Sequence, residues 1–362
     1  MSAPTPPYPK STLIANVVMD RFRCHRGDGD MWPITWAADG NLYGGAGDNS
    51  GSPMNFWRIN GEPQDGYLGT GLGISMQLVD NLPIDPQVYC RRPGVDAKNG
   101  VKPASLIGVG GIIYFAVELH NYGDNPAFNR QHNIGAWIIT TADYGRTWNR
   151  EATPLDFFTG RLASPHFLQF GRDYDGARDG YVYACFAAAD DGGSYWENGD
   201  YLLLGRVDQS RILAREAWEF FTGLDAAGAP QWDRDDAAAR PVFRYPLMTG
   251  ENHVSYNRGL GRYIMGSYGF LDGDGNPRPY HAAGLWPQSA LRSQLTLYES
   301  PEPWGPWSLF YRDDDWGTYG DYQPSFPTKW MSGDGRTMLM VSSGTFDDYN
   351  LTLQKVTLEA AV

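Results

Sequence analysis

The chain repeats one supersecondary unit five times: an apolar strand, a tight turn rich in Gly, Asp or Asn, and a second apolar strand. Residues 31–36 turn at Asp39-Gly40-Asn41 into 42–48. Residues 104–107 turn through 108–111 into 112–118. Residues 165–170 pass a longer turn through Gly180 into 181–186. Residues 252–256 turn through 258–261 into 262–268, and residues 324–330 turn through 332–335 into 337–342. Each of the first four hairpins is followed by further strand-like runs, at 55–59, 136–140, 201–205 and 295–298. One unit is therefore about four antiparallel strands.

Units of that size, beginning near residues 30, 103, 165, 251 and 322, fill the chain. Four-stranded sheets repeated about an axis are propeller blades, so the pattern predicts an all-β chain folded as a single five-bladed β-propeller. The last hairpin leaves only 350–356 for a third strand. The apolar run 13–18 then completes that blade, closing the ring by pairing N-terminal with C-terminal strands and removing an exposed sheet edge. The expected organisation is an extended N-terminal segment, 1–10, followed by the propeller, 11–362. Residues 212–218 and 225–239 read as an insertion with short helices. The 44 glycines and 25 prolines suit many tight turns better than long helices. Thr141-Ala142-Asp143-Tyr144-Gly145-Arg146-Thr147-Trp148 looks like an Asp-box turn of the sialidase-type propellers, and 300–307 takes the same place later on.

A formal charge of −13 repels polyanions, which argues against nucleic acid as a partner. No run of 18 apolar residues predicts a membrane span. The opening MSAPTPPYPKS lacks the apolar centre of a secretory signal, although an extracellular setting would suit the function read below. Cys24, Cys90 and Cys185 make no metal spacing, and one disulfide or three free thiols both fit. Asp272-Gly273-Asp274-Gly275-Asn276 resembles a calcium loop but lacks the later Glu, so it reads as a polar loop. No metal and no cofactor is assigned.

In a propeller the innermost strands line the axis, and equivalent positions of distant blades point at one small volume. Those positions carry Asp30, Lys102, Ser164 with His166, Glu251-Asn252-His253, and Asp321-Tyr322-Gln323. Pairing about the turn at Asp39-Gly40 puts residue 30 opposite 48 or 49, so Asp30 and Asp48 should adjoin. Two close carboxylates push their pKa values apart, which supplies an acid and a base in one site. Glycoside hydrolysis uses such a pair. The catalytic candidates are therefore Asp30, Asp48 and Glu251. Trp32, Glu118, His166, Asn252, His253, Tyr322 and Gln323 are candidates for holding a carbohydrate substrate. Each has a structural alternative: a solvated turn for Asp30, an Asx turn for Asp48, a core histidine for His166 or His253, a core ring for Trp32.

Residues 29–43 with Gly47-Asp48 resemble the opening blade of the propeller family called domain of unknown function 4185. The pieces 261–263, 298–307 and 322–325 are similar to it too. Part of that family forms glycoside hydrolase family 183, whose members cleave the D-arabinan of mycobacterial cell walls. The resemblance implies an endo-acting furanosidase using acids of the first blade, which here would be Asp30 and Asp48. The wider clan of five-bladed arabinanases and fructosidases draws three acids from several blades. This chain departs from that pattern, with Lys102 and His166 at the second and third hairpin starts.

Two other functions fit the composition. A polysaccharide lyase would use His and Tyr on a uronate and release an ultraviolet-absorbing product. A non-catalytic glycan-binding propeller would release nothing. A sialidase is disfavoured, because no hairpin start carries an arginine.

Overall fold

The computed structural model describes residues 3–20, 24–49, 52–62, 73–80, 100–121, 132–278, 292–317, 321–343 and 350–360. Alternating apolar residues form strands, and the helical content of the described residues is confined to three-residue 3-10 turns. No helix is long and apolar enough to cross a membrane.

The strands assemble into five antiparallel sheets, the five blades expected. Blade 5 is closed by the first strand, β1 (Ile14–Met19), so the ring begins and ends in one sheet. A short second strand, β2 (Cys24–Arg26), joins the same blade. Blade 1 comprises β3 (Ile34–Trp36), β4 (Leu42–Asn49), β5 (Ser52–Gly61) and β6 (Ile74–Asp80). Blade 2 comprises β7 (Gly100–Val109), β8 (Ile112–Asn121) and β9 (His132–Thr141), with bridges from Asn149 and Phe158 running along its outer edge. Blade 3 starts with β10 (Pro165–Phe167), β11 (Tyr181–Ala188) and β12 (Gly199–Asp208). Blade 4 comprises β16 (Val254–Asn257), β17 (Arg262–Leu271), β18 (Arg292–Ser300) and β19 (Ser308–Trp316). Blade 5 continues from β20 (Tyr322–Ser325) and β21 (Thr337–Ser343) to β22 (Leu351–Ala360), which pairs with β1 from Ile14↔Ala360 to Met19↔Val356.

The segments 212–218 and 225–239, read as an insertion with short helices, flank additional strands of blade 3. Short 3-10 turns stand at 215–217 and 236–238, and strands lie between and after them: β13 (Glu219–Leu224) and β14 (Pro230–Asp233) form a hairpin that extends blade 3, and β15 (Phe243–Thr249) pairs with the other half of β12. The phenyl groups of Phe220, Phe221 and Phe243 favour a pleated surface against the core over a helix.

Apolar wedges between neighbouring blades hold the ring. Ile264, Leu297, Met338, Met340 and Val356 fill the space between blades 4 and 5. Trp32, Ile34, Leu42, Val341 and Leu353 fill that between blades 5 and 1. The sheets approach so closely that a Cβ on Gly45 would stand 2.6 Å from the Phe115 ring, across the seam of blades 1 and 2. The N-terminal segment lies along the outer strands: Tyr8 stacks on Phe243 at 4.8 Å, and the Pro4 carbonyl accepts from Tyr245 and Gln294. The Asp-box reading of blade 2 holds geometrically, with Asp143 accepting from the Thr147 amide and hydroxyl at 2.9 and 2.7 Å. The Asp272 side chain closes its own turn onto the amides of Asp274 and Asn276, as a polar loop does.

Candidate active site

The hairpin starts of all five blades meet in one buried polar network. Asp30, just ahead of β3, pairs its backbone with Gly47 and receives the Tyr322 hydroxyl of blade 5 on Oδ2 at 3.0 Å. Lys102 Nζ of blade 2 lies 3.9 Å from its Oδ1. Cation and phenol donor are the partners an ionised carboxylate takes. A Cβ at Gly47 would sit 2.8 Å from Asp30 Oδ1, so glycine leaves the room the carboxylate occupies.

Lys102 is the register partner of Glu118 on the next strand. Glu118 Oε1 is 2.7 Å from His120 Nε2, and its Oε2 receives Asn133 Nδ2 at 3.3 Å. The same Asn133 amide reaches Glu251 Oε1 of blade 4 at 3.4 Å. Ser164 of blade 3 donates to that oxygen at 2.9 Å, and the Gln323 amide of blade 5 donates to Oε2. Ser164 Oγ is also 2.8 Å from His166 Nε2, and the His166 ring meets that of His253 edge to face at 4.9 Å.

Electrostatics follows from burial. Glu118 and Glu251 are fully buried, within reach of one another, and cannot both ionise cheaply. Desolvation pushes Glu118 up to about 7. Glu251 is raised well above the carboxylate range, by desolvation first and then by the Glu118 charge. Desolvation drives both imidazoles the other way: His253 is held down to about 4 and His166 well below its ordinary value, so both are neutral at neutral pH. The pair of glutamic acids shares a proton where isolated carboxyls would hold none.

This has a consequence for stability. The folded chain holds protons on the pair that the unfolded chain releases from about 4.5 upward, so the pair's contribution to stability declines as pH rises from about 4.5 through 7, while the two buried imidazoles act in the opposite sense below about 6.5. Glu118 alone accounts for a loss on the order of 3 kcal/mol across that window. From pH 5 to 8 the denaturation midpoint of the wild type should fall relative to that of the Glu118→Gln, Glu251→Gln double variant, in which the histidine contribution remains.

Among the described residues, Glu118, His166 and Glu251 bring three ligating atoms within 4.8 Å of one another. Each of those carboxylate oxygens already faces a donor from His120, Asn133, Ser164 or Gln323, and His166 Nε2 faces Ser164. His166 Nδ1, by contrast, is buried with no hydrogen-bond partner among the described residues.

Of the residues singled out in the sequence, Asp30, Glu118, Glu251, His166, His253, Tyr322 and Gln323 are brought together. Tyr322 and Gln323 spend their polar ends on Asp30 and Glu251, which makes them positioning groups for the acids. Asn252 is buried with its amide on Met265 Sδ at 3.6 Å. Trp32 is 1% exposed, its Nε1–H on the Gly29 carbonyl and its ring in the wedge of blades 5 and 1, so it offers no open face to a sugar. Position 48 lies in β4, one step beyond the Gly47 that faces Asp30; the expected register of 30 with 48 or 49 is off by one, and the Asp48 side chain lies outside the described residues. The physical reason is local. Met31 and Trp32 adopt φ of 77° and 54°, an irregular step that shifts the pairing between Asp30 and β3. Gln323 also has positive φ, at 53°. Cys185 is free and buried; the side chains of Cys24 and Cys90 lie outside the described residues.

Asn133 and Trp196 escaped the sequence reading. Trp196 packs against Tyr322 at 5.4 Å, and its carbonyl accepts from the Glu251 amide at 3.2 Å and from the Tyr268 hydroxyl. Neither residue stands at a hairpin start, the one signal that sequence offers.

Fold and site together define a class: a five-bladed, all-β propeller with a proton-sharing carboxyl cluster buried on its axis. Among solved structures the chain is similar to a candidate hydrolase from Bacteroides ovatus, with TM-score 0.53 and 13% identity over 92% of this chain and 86% of that chain. It is also similar to the GH43_1 enzyme from Xanthomonas citri complexed with xylotriose (TM-score 0.48, 15% identity, 91% and 86% of the chains) and to RS223-Beta-xylosidase (0.47, 12%, 92% and 94%). At these identities the likeness speaks for the fold alone. No family model and no curated protein matches the chain, so the family resemblance rests on its short motifs.

Proposed function

We propose that the protein is a glycoside hydrolase acting on a polysaccharide or oligosaccharide. The observation that carries this reading is the axial triplet of carboxyls: Asp30 beside Lys102, and the proton-sharing pair Glu118 and Glu251. Glycosidic cleavage needs one carboxyl that keeps a proton near neutrality and another that is ionised. Glu251, whose pKa is raised most firmly, protonates the leaving oxygen. Glu118 holds the shared proton in place and sets that pKa. Asp30, oriented by Tyr322 and Lys102, serves as the nucleophile or as the base that activates water. Asp30 and His253, each 7% exposed, are where this network meets solvent.

The motif resemblance makes an arabinan-type furanoside the first substrate to try. The test is incubation with a panel of neutral polysaccharides, arabinans and xylans included, with reducing ends measured alongside ultraviolet absorbance. Reducing ends without an absorbing product are expected. An absorbing product would establish a lyase, and no cleavage across the panel, with binding retained, would establish a glycan-binding propeller.

A further inference from the structure

We infer that Ser164 and His166 form a proton relay that recharges Glu251 between turnovers. This rests on the reading of Glu251 as the acid. Ser164 Oγ lies 2.9 Å from Glu251 Oε1 and 2.8 Å from His166 Nε2, and all three side chains are closed to solvent. A hydroxyl carries one hydrogen, so only two arrangements satisfy the chain of bonds. With Glu251 ionised, Ser164 donates to it and accepts from His166 Nε2–H. With Glu251 protonated, Glu251 donates to Ser164, which donates to Nε2, and the ring proton sits on Nδ1.

Passing from the first arrangement to the second moves one proton from Nε2 to Oγ and another from Oγ to Oε1, while Nδ1 takes one up. Glu251 ends neutral, the hydroxyl is intact, and the imidazole is neutral in its other tautomer. It returns by losing the Nδ1 proton and regaining one on Nε2. The proton enters at Nδ1, which is buried with no hydrogen-bond partner among the described residues, and His253, edge to face with His166 and the more exposed ring, marks the side toward solvent. The amides of Asn133 and Gln323 also touch Glu251, but as fixed donors they pass nothing on. The titratable groups around the relay are Glu118 and His120 from β8, Lys102 from β7, and His253 and Tyr268 from blade 4.

Two experiments test this. In two-bond proton–nitrogen spectra of the 15N-labelled protein, with His166 assigned through His166→Gln, the tautomer should switch over the pH range where Glu251 titrates. The switch should vanish in Glu251→Gln and lose its link to that range in Ser164→Ala. A His166 tautomer that stays constant through the titration of Glu251 in the wild type overturns the relay, whether or not any glycan is cut. On a cleaved substrate, Ser164→Ala should lower kcat about 10- to 100-fold with KM nearly unchanged. The rate should then rise with the concentration of a small buffer acid, and Ser164→Thr should restore it. An unaltered kcat in Ser164→Ala, or activity abolished by chelation and restored by a divalent cation, would also overturn the relay. A failed relay alongside an inactive Glu251→Gln leaves the hydrolase reading standing.

Discussion

Glu251→Gln should leave a folded propeller whose turnover falls by about 10² to 10⁴, the range that general acid catalysis contributes. The amide matches the carboxyl in size, its oxygen still accepts from Asn133 and Ser164, and its NH2 meets Gln323 once that amide turns its unpartnered Oε1 inward, so the packing around it changes little. What it lacks is a proton to release. The loss should appear in kcat, with KM moving little, because Glu251 acts on the leaving oxygen and not on ground-state binding. Stability should not suffer. At pH 8 the variant should melt above the wild type, since it lacks a buried carboxyl whose raised pKa disfavours the folded state above the ordinary carboxylate range. In the wild type the alkaline limb of the pH–rate profile should lie well above the ordinary carboxylate range, because activity falls as the pair gives up its shared proton. A Glu251→Gln variant with undiminished turnover would remove Glu251 from the chemistry.

The second large effect concerns the ring. Deleting residues 1–19 removes β1 and leaves the edge of β22 unpaired from Val356 to Ala360. It also withdraws Ile14 from the wedge of blades 4 and 5, the Tyr8 ring from Phe243, and the Ser11 hydroxyl that bonds Glu299 at 2.8 Å. Burial of one large apolar side chain is worth about 1.5–3 kcal/mol. Two such losses with a strand's hydrogen bonds come to the order of the whole net stability of a domain. An open, flat β edge also templates association. The truncated chain should therefore aggregate or melt far below the full chain, read by light scattering and thermal denaturation. A monomer melting within a few degrees of wild type would mean that ring closure contributes little.

The hairpins that make the blades were legible because each is local: an apolar run, a turn residue with its own conformational demand, a second run. Ring closure was legible because the last unit is short of a strand and residues 13–18 supply one. The meeting of Asp30, Glu251, His166 and Tyr322 followed from blade geometry, which places equivalent positions at one axis. The pairing of Glu118 with Glu251 did not follow. Glu118 sits at the far end of a second strand, and its approach to blade 4 depends on how the blades are spaced, which no local pattern encodes. Asp30 and Asp48 looked like partners because counting from the turn assumes regular strands; the positive φ angles of Met31 and Trp32 break that count. Trp32 looked like a sugar platform because its place between blades depends on the closed ring. Trp196 was invisible because it enters from the connection between β11 and β12, outside the repeat.

The claim on which the rest turns is that Glu251 keeps a proton at neutral pH inside the propeller axis. The infrared difference spectrum of wild type against Glu251→Gln at neutral pH tests it directly. The expected result is the carbonyl stretch of a protonated, buried carboxyl, absent from Glu251→Gln and shifted in Glu118→Gln. A spectrum holding only carboxylate bands at that pH would contradict it.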